Sequence, residues 1–272
     1  MTLPASVQPD QDSSRWDRHA AAYEQVFEPL TTAFLAQVLD RLGPLAGLDV
    51  LDVAAGAGGG AMAASQRSAR VTAVDASPGM VQRIAARAPG VSARVMDGTA
   101  LSLPDAGFDV AISCFGVVLF PDPASGMAEM HRVLRHGGRA AVVTWTEPHR
   151  YELASRLRDA VIAVRGAPLP QGELPAQLRF TDPDRLRALM AGAGFAEVEI
   201  MPLAADLHAP SAAALGEMLG FAPGMAAMLD FLGSDRAAVL DAFTRRLQAD
   251  QGNGPVCLGA IAHAALAVRT RT

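Results

Sequence analysis

The sequence predicts an α/β fold, a doubly wound sheet of parallel strands with helices on both faces. Three observations carry that expectation. The apolar run Val50-Leu51-Asp52-Val53 gives way at once to Ala54-Ala55-Gly56-Ala57-Gly58-Gly59-Gly60, a stretch almost without side chains. Two later runs, Val71–Asp75 and Ala93–Asp97, each end in an acid. Strand-like and helix-like segments then alternate five times, the rhythm of βα units around a parallel sheet.

A buried strand that breaks into glycine lets the backbone approach a ligand closely, and the helix that follows offers its free N–H groups. In an open α/β sheet this occurs at the carboxyl ends of the strands, where ligands bind. Asp75 falls seventeen residues after Gly58, about where a second parallel strand ends and reaches a ribose. Asp97 ends the third run. One nucleotide site built from three strand ends accounts for all three stretches.

Taken in order, residues 1–14 read as a disordered, polar lead-in with no apolar core of the kind a signal peptide needs. Residues 15–28 form a helix, capped by Ser13 or Ser14 and stopped by Pro29, with Trp16, Ala20, Tyr23 and Phe27 on one face. A second helix spans 30–42. After the glycine loop come helix 59–69, the second strand, and a helix opened by Ser77-Pro78. The fourth strand is Phe108–Cys114. Helix 123–136 carries Arg132, Arg135 and His136 at its end, where cations oppose the dipole. Gly137-Gly138 then turns into a fifth strand, 139–146. Beyond it lie helix 150–165, a loop at 166–178 and a helix from Asp182-Pro183 to Gly192–Gly194. Strand 196–208, helices at 211–232 and 234–249 and an apolar strand at 255–268 complete the chain.

The chain has 272 residues, half of them hydrophobic, which suffices for one large domain or one with an inserted cap. Net charge is −5, and all 23 basic residues are arginine. No basic cluster marks a nucleic-acid partner. Cys114 and Cys257 are too few for a disulfide framework or a metal cluster, so the expected compartment is reducing and cytoplasmic and no metal is expected. No stretch has the eighteen or so apolar residues a membrane span needs.

Asp52-Val-Ala-Ala-Gly56-Ala-Gly58, with Asp75 and Asp97, resembles the class I S-adenosylmethionine (SAM) methyltransferases, in particular the group related to quinone C-methyltransferases. The resemblance covers about residues 15–147, and Arg132-Val-Leu-Arg-His-Gly-Gly138-Arg extends it to the approach to the fifth strand. It implies a Rossmann-like sheet of seven strands, the last antiparallel in an edge hairpin. One domain would span 15–272, with an N-terminal helical lid (15–42) and helical caps at about 148–180 and 211–250. It implies SAM as cofactor and leaves room for a homodimer. Gly56, Ala57 and Gly58 would bring backbone to the methionine and ribose portions, and Asp75, beside Ala76, would accept the ribose hydroxyls. Asp97, Gly98 and Thr99 would meet the adenine, with Met80 beside it. Asp52 would face the methionine ammonium directly or through water, Cys114 would contribute backbone, and Tyr23 would reach over the methionine end. Ala57 departs from the family motif, which often has a hydroxyl residue there.

The sequence contains no catalytic triad, zinc-protease motif or Walker lysine. Ser113-Cys114-Phe115-Gly116 stands where nucleobase amino-methyltransferases carry an Asp/Asn-Pro-Pro-Tyr motif, which argues against that acceptor. A nicotinamide-binding reading meets a loose Gly56-x-Gly58-x-x-Ala61 match, but Asp52, Asp97 and the lack of a Tyr-x-x-x-Lys pair oppose it. A SAM-binding protein that catalyses a non-methylating reaction such as cyclisation is a further alternative. The apolar, methionine-rich segment 211–232 suits a lid over a small, largely apolar acceptor, quinone-, polyketide- or terpenoid-like. If a base assists, the candidates are His149, just beyond the fifth strand, and His19.

Overall fold

A computed structural model describes residues 7–170 and 172–270. Seven strands form one sheet: β1 (Asp49–Val53), β2 (Arg70–Asp75), β3 (Ser92–Val95), β4 (Phe108–Cys114), β5 (Leu134–Trp145), β6 (Phe195–Ala209) and β7 (Val256–Arg269), in the order β3-β2-β1-β4-β5-β7-β6. The first five run parallel, and β7 lies antiparallel between β5 and β6. This is the expected seven-stranded sheet. The strand order reverses between β1 and β4, so the crevice for a ligand opens at their carboxyl ends.

Among the described residues, ten helices surround the sheet: α1 (Ser13–Val26), α2 (Glu28–Arg41), α3 (Gly59–Gln66), α4 (Pro78–Arg87), α5 (Pro123–Val133), α6 (Glu152–Arg165), α7 (Pro183–Gly192), α8 (Ala212–Met218), α9 (Pro223–Phe231) and α10 (Arg236–Gln251). Strand side chains alternate between faces. Val50, Val110, Ile112 and Val143 join Phe34, Leu35 and Val38 of α2 in one core. Leu51, Val53, Ala111 and Val142 join Met127 and Met130 of α5 and Leu186 of α7 in the other. Asp52 shares a face with Val50, and is buried at 2% exposure beneath the helices of the first core.

Several local expectations need correction. The lead-in is ordered from Val7: Pro9–Gln11 form a 3-10 turn, and Gln8 bonds Leu174 and Ala176 across the molecule. Residues 1–6 lie outside the described part. Asp12, not Ser13 or Ser14, caps α1, its carboxylate accepting from the Ser14 amide. Pro29 does not stop α1; it sits in the first turn of α2, where a missing N–H costs nothing. Helix α5 ends at Val133, and residues 134–138 already belong to β5. The partner register jumps from Phe108↔Leu134 to Val110↔Arg139, so Gly137 (φ +80) and Gly138 form a bulge inside a strand. Arg135 consequently reaches Asp49 and Asp109 at the amino ends of β1 and β4. The segment expected as one helical stretch, 211–232, is two helices bent by 93°. Among the described residues, no single helix is long and apolar enough to cross a membrane.

Candidate active site

The carboxyl ends of β1, β2 and β4 open into a cavity of about 1230 Å³. Ala54 and Phe115, the residues after β1 and β4, both have left-handed backbone (φ +57 and +58). That conformation disfavours side chains, and it concentrates where a site dictates the geometry. The two turns touch: a Cβ at Gly116 would stand 2.4 Å from that of Ala54. The strand ends are packed together as tightly as side-chain-free backbone allows.

Asp75 lies at the cavity wall and accepts backbone N–H groups from Gly56 and Ser77, each at 2.9 Å. Burial outweighs these bonds and lifts its carboxyl to about 6. Asp97 is exposed, its Oδ1 held by the backbone and hydroxyl of Thr99 at 2.8 Å each. Ala76, Met80, Gly98 and Thr99 line the same wall. Tyr23 closes over Gly56, where a Cβ would come within 3.1 Å of its ring. Cys114 lines the cavity too; burial pushes its thiol well up, and its sulfur lies 3.4 Å from the Thr31 carbonyl. A neutral thiol so placed is no nucleophile.

Asp52 is set behind this wall. Its Oδ2 has no hydrogen-bond partner, and burial first, then the charge of Asp75, raises its carboxyl to about 8. It faces a separate void of about 20 Å³, shared with Tyr23, Thr31, Glu28 and Cys114. That volume is room for one water.

The glycine loop divides its labour. Gly56 reaches the cavity, but Ala57 is fully buried and Gly58 packs on α4. A Cβ at Gly58, already at φ +99, would meet Ile84 at 2.9 Å. The helix that follows does not offer its first N–H to a ligand: Gly59 donates to Glu28 Oε1 at 2.8 Å, and Glu28 Oε2 pairs with Arg87 at 2.6 Å. Arg87 also donates to the Ala57 carbonyl at 2.8 Å. The sequence reading missed Glu28, and its distance along the chain from Gly59 left no local signal.

The rest of the cavity is lined mainly by apolar and aromatic side chains, with Asp10, Arg158, Glu173 and Gln177 also on its wall. Phe27 stacks on Phe221 at 4.9 Å, Tyr151 on Trp145 at 4.4 Å, and Phe115 leans on Trp145 at 4.5 Å. Met225 and Met228 of α9 and Leu157 and Val161 of α6 complete the chamber. The ordered lead-in shuts it from above: Asp10 accepts the Gly224 amide at 2.6 Å, and Trp16 donates to the Asp10 carbonyl. Neither histidine expected as base lines this cavity. His149 is exposed in a 3-10 turn, and the Nδ1 of His19 meets the Gly220 carbonyl at 2.9 Å.

A family model described as a methyltransferase domain matches residues 51–142, the span from β1 into β5. Demethylmenaquinone methyltransferase of Deinococcus radiodurans is 35% identical over 161 residues, 54% of this chain and 67% of that one. The chain belongs to the class I SAM-dependent methyltransferases. Nocamycin O-methyltransferase of Saccharothrix syringae is 29% identical over 89% of this chain and 92% of its own. Several mycobacterial relatives are matched over only 56% of their length. The YcgJ protein of Bacillus subtilis has the same fold, at a TM-score of 0.57 and 17% identity over 88% of this chain and 98% of that one.

The residues of this chain fit the family cofactor. SAM carries a cationic ammonium and sulfonium, a ribose diol and an adenine. The orphaned Oδ2 of Asp52 and the raised carboxyl of Asp75 are strand-end acids whose ionised forms a cationic ligand favours. Ala54, Gly56 and Gly116 bring backbone to the cavity between them.

Proposed function

We propose that this protein methylates a small, largely apolar molecule, and the observation that carries the reading is the continuity of its cavity. The strand-end acids and the aromatic–methionine chamber are two halves of one space of about 1230 Å³. A donor bound at the first half would face an acceptor in the second. The sulfonium of bound SAM supplies an activated methyl group.

In this reading Asp75 accepts the ribose hydroxyls, while Asp97, Gly98, Thr99 and Met80 bracket the adenine. Gly56 and the Cys114 backbone approach the methionine portion, under Tyr23. Asp52 acts on the ammonium through the water-sized void, and Ala57 and Gly58 support the loop from behind. Phe27, Phe115, Trp145, Tyr151 and Phe221 hold the acceptor by apolar contact and exclude water, which strengthens alignment and electrostatics alike. Among the described residues no histidine lines the space, and positioning is the catalytic device this reading relies on. The names of the nocamycin and demethylmenaquinone relatives are in keeping with polyketide- or quinone-like acceptors.

The test is a methyl-transfer screen against aromatic and polyketide compounds, read by S-adenosylhomocysteine release, with calorimetry of SAM, S-adenosylhomocysteine and NAD beside it. SAM binding with turnover of apolar acceptors is expected. Turnover confined to peptide or tRNA overturns the acceptor class, and tight NAD binding without SAM heat overturns the whole reading.

A further inference from the structure

Outside the lining of the methyl-transfer cavity, the last two strands bring three metal-binding side chains together. In β6, Leu207 and Ala209 point into the core, so Asp206 and His208 point out. In β7, Val256 and Leu258 are buried and Cys257 faces out between them. His208 and Cys257 are direct partners in the antiparallel register, and Asp206 lies two residues before His208 on the same face. One carboxylate oxygen, one imidazole nitrogen and the thiol all fall within 4.8 Å of one another.

We propose that Asp206, His208 and Cys257 form a binding site for a borderline-soft divalent cation of the zinc class. A carboxylate, an imidazole and a thiolate are the ligand types zinc takes, at about 2.0–2.3 Å each, and three of them leave a fourth tetrahedral position for water. Small side-chain rotations draw ligands so spaced onto one ion. The surroundings favour it in two ways. The site is anionic: the Asp206 carboxylate stands in the cluster, and Asp206 Oδ1 and Glu152 Oε2 flank β7 together, each 3.9 Å from where a Cβ at Gly259 would stand. The thiol's backbone is also fixed, since the Gln251 side chain donates to the Cys257 carbonyl and accepts its amide, both at 2.9 Å. Glu152 is itself held by the Gly259 amide at 3.0 Å and by Arg156 at 2.7 Å.

The location gives the ion a consequence. The chain leaves the sheet after Ala209, builds α8, α9 and α10, and returns at Val256. An ion joining His208 to Cys257 would clip the neck of this excursion, the same segment that supplies Phe221, Met225 and Met228 to the acceptor chamber. Closing that loop removes freedom from the unfolded chain and steadies the cap.

The experiment uses the tag-free full chain stripped with chelator, titrated with Zn²⁺ by calorimetry and with Co²⁺ by absorption. One Zn²⁺ per chain is expected, with a rise in melting temperature that Mg²⁺ does not give. Co²⁺ should show a thiolate charge-transfer band that Cys257→Ser abolishes. Cys257→Ser and His208→Ala should each weaken Zn²⁺ by at least tenfold; both residues are exposed, so the variants fold. Absence of saturable Zn²⁺ binding overturns the proposal. So does binding that both variants leave unchanged, whatever becomes of the methyltransferase reading.

Discussion

Glu28 accepts the Gly59 amide at 2.8 Å while pairing with Arg87, so the helix after the glycine loop is capped from within the chain. A buried carboxylate at a helix N-terminus is favoured by the dipole as well as by the bond. It also fixes where the loop sits, because Arg87 holds the Ala57 carbonyl from the other side.

Glu28→Gln removes the charge and keeps the shape, leaving Arg87 without its best-buried partner. The expected loss is about 1–3 kcal/mol of unfolding free energy. Urea denaturation of the free protein measures it, and a change within about 0.5 kcal/mol would show that the cap is not energetically coupled to the loop.

The strand-end acids predict a pH dependence of definite sign. Asp75 titrates at about 6 and Asp52 at about 8, both above the 3.8 of a free carboxyl. The native state therefore holds protons that the unfolded chain releases. The stability these groups contribute is present below about pH 4 and is lost as pH rises through about 6 and then 8. A cationic ligand prefers the ionised forms, so SAM affinity should rise over the same window. Thermal melts and SAM calorimetry between pH 5 and 8 check both trends, and Asp52→Asn should remove the part due to Asp52 at the upper end while leaving that of Asp75. SAM affinity falling as pH rises would contradict the assignment.

The parts of this site that the sequence disclosed are those with local signatures. Asp75 and Asp97 end apolar runs, Asp52 lies inside the first run and Gly56 in the loop that follows it, and parallel strand order brings those strand ends to one edge of the sheet. Helical spacing places Tyr23 on one face of α1, and its candidacy at the cofactor comes from the family resemblance. What escaped depends on contacts between distant segments: Glu28 with Gly59, Asp10 with Gly224, and the bulge at Gly137, which needs the β4 register to be seen. His149 shows the limit clearly. Its place after β5 was readable, but the 3-10 turn Pro148–Arg150 directs it outward, and the backbone bridge of Tyr151 to Ala260 accompanies the Tyr151 ring into the cavity wall.

His149→Ala should accordingly leave turnover within a few-fold of the parent, with SAM affinity unchanged. A loss of 10²-fold or more in kcat would restore the general-base role, since that is the size such a group contributes.

Tyr151 is the better candidate for handling the acceptor. Its ring stacks on Trp145, its hydroxyl is buried with no hydrogen-bond partner, and burial keeps the phenol protonated. A buried hydroxyl without a partner weakens the fold, so Tyr151→Phe should leave the free protein as stable as the parent or more so, by up to about 1 kcal/mol. If that hydroxyl donates to an oxygen of the acceptor, the same change costs about 1.4 kcal/mol in the transition state, a tenfold fall in kcat/KM, with the SAM dissociation constant unmoved. Steady-state kinetics with the best acceptor from the screen, beside urea denaturation, separates the two effects. A phenol that only fills space would show unchanged kcat/KM in Tyr151→Phe, and that result would remove Tyr151 from acceptor recognition.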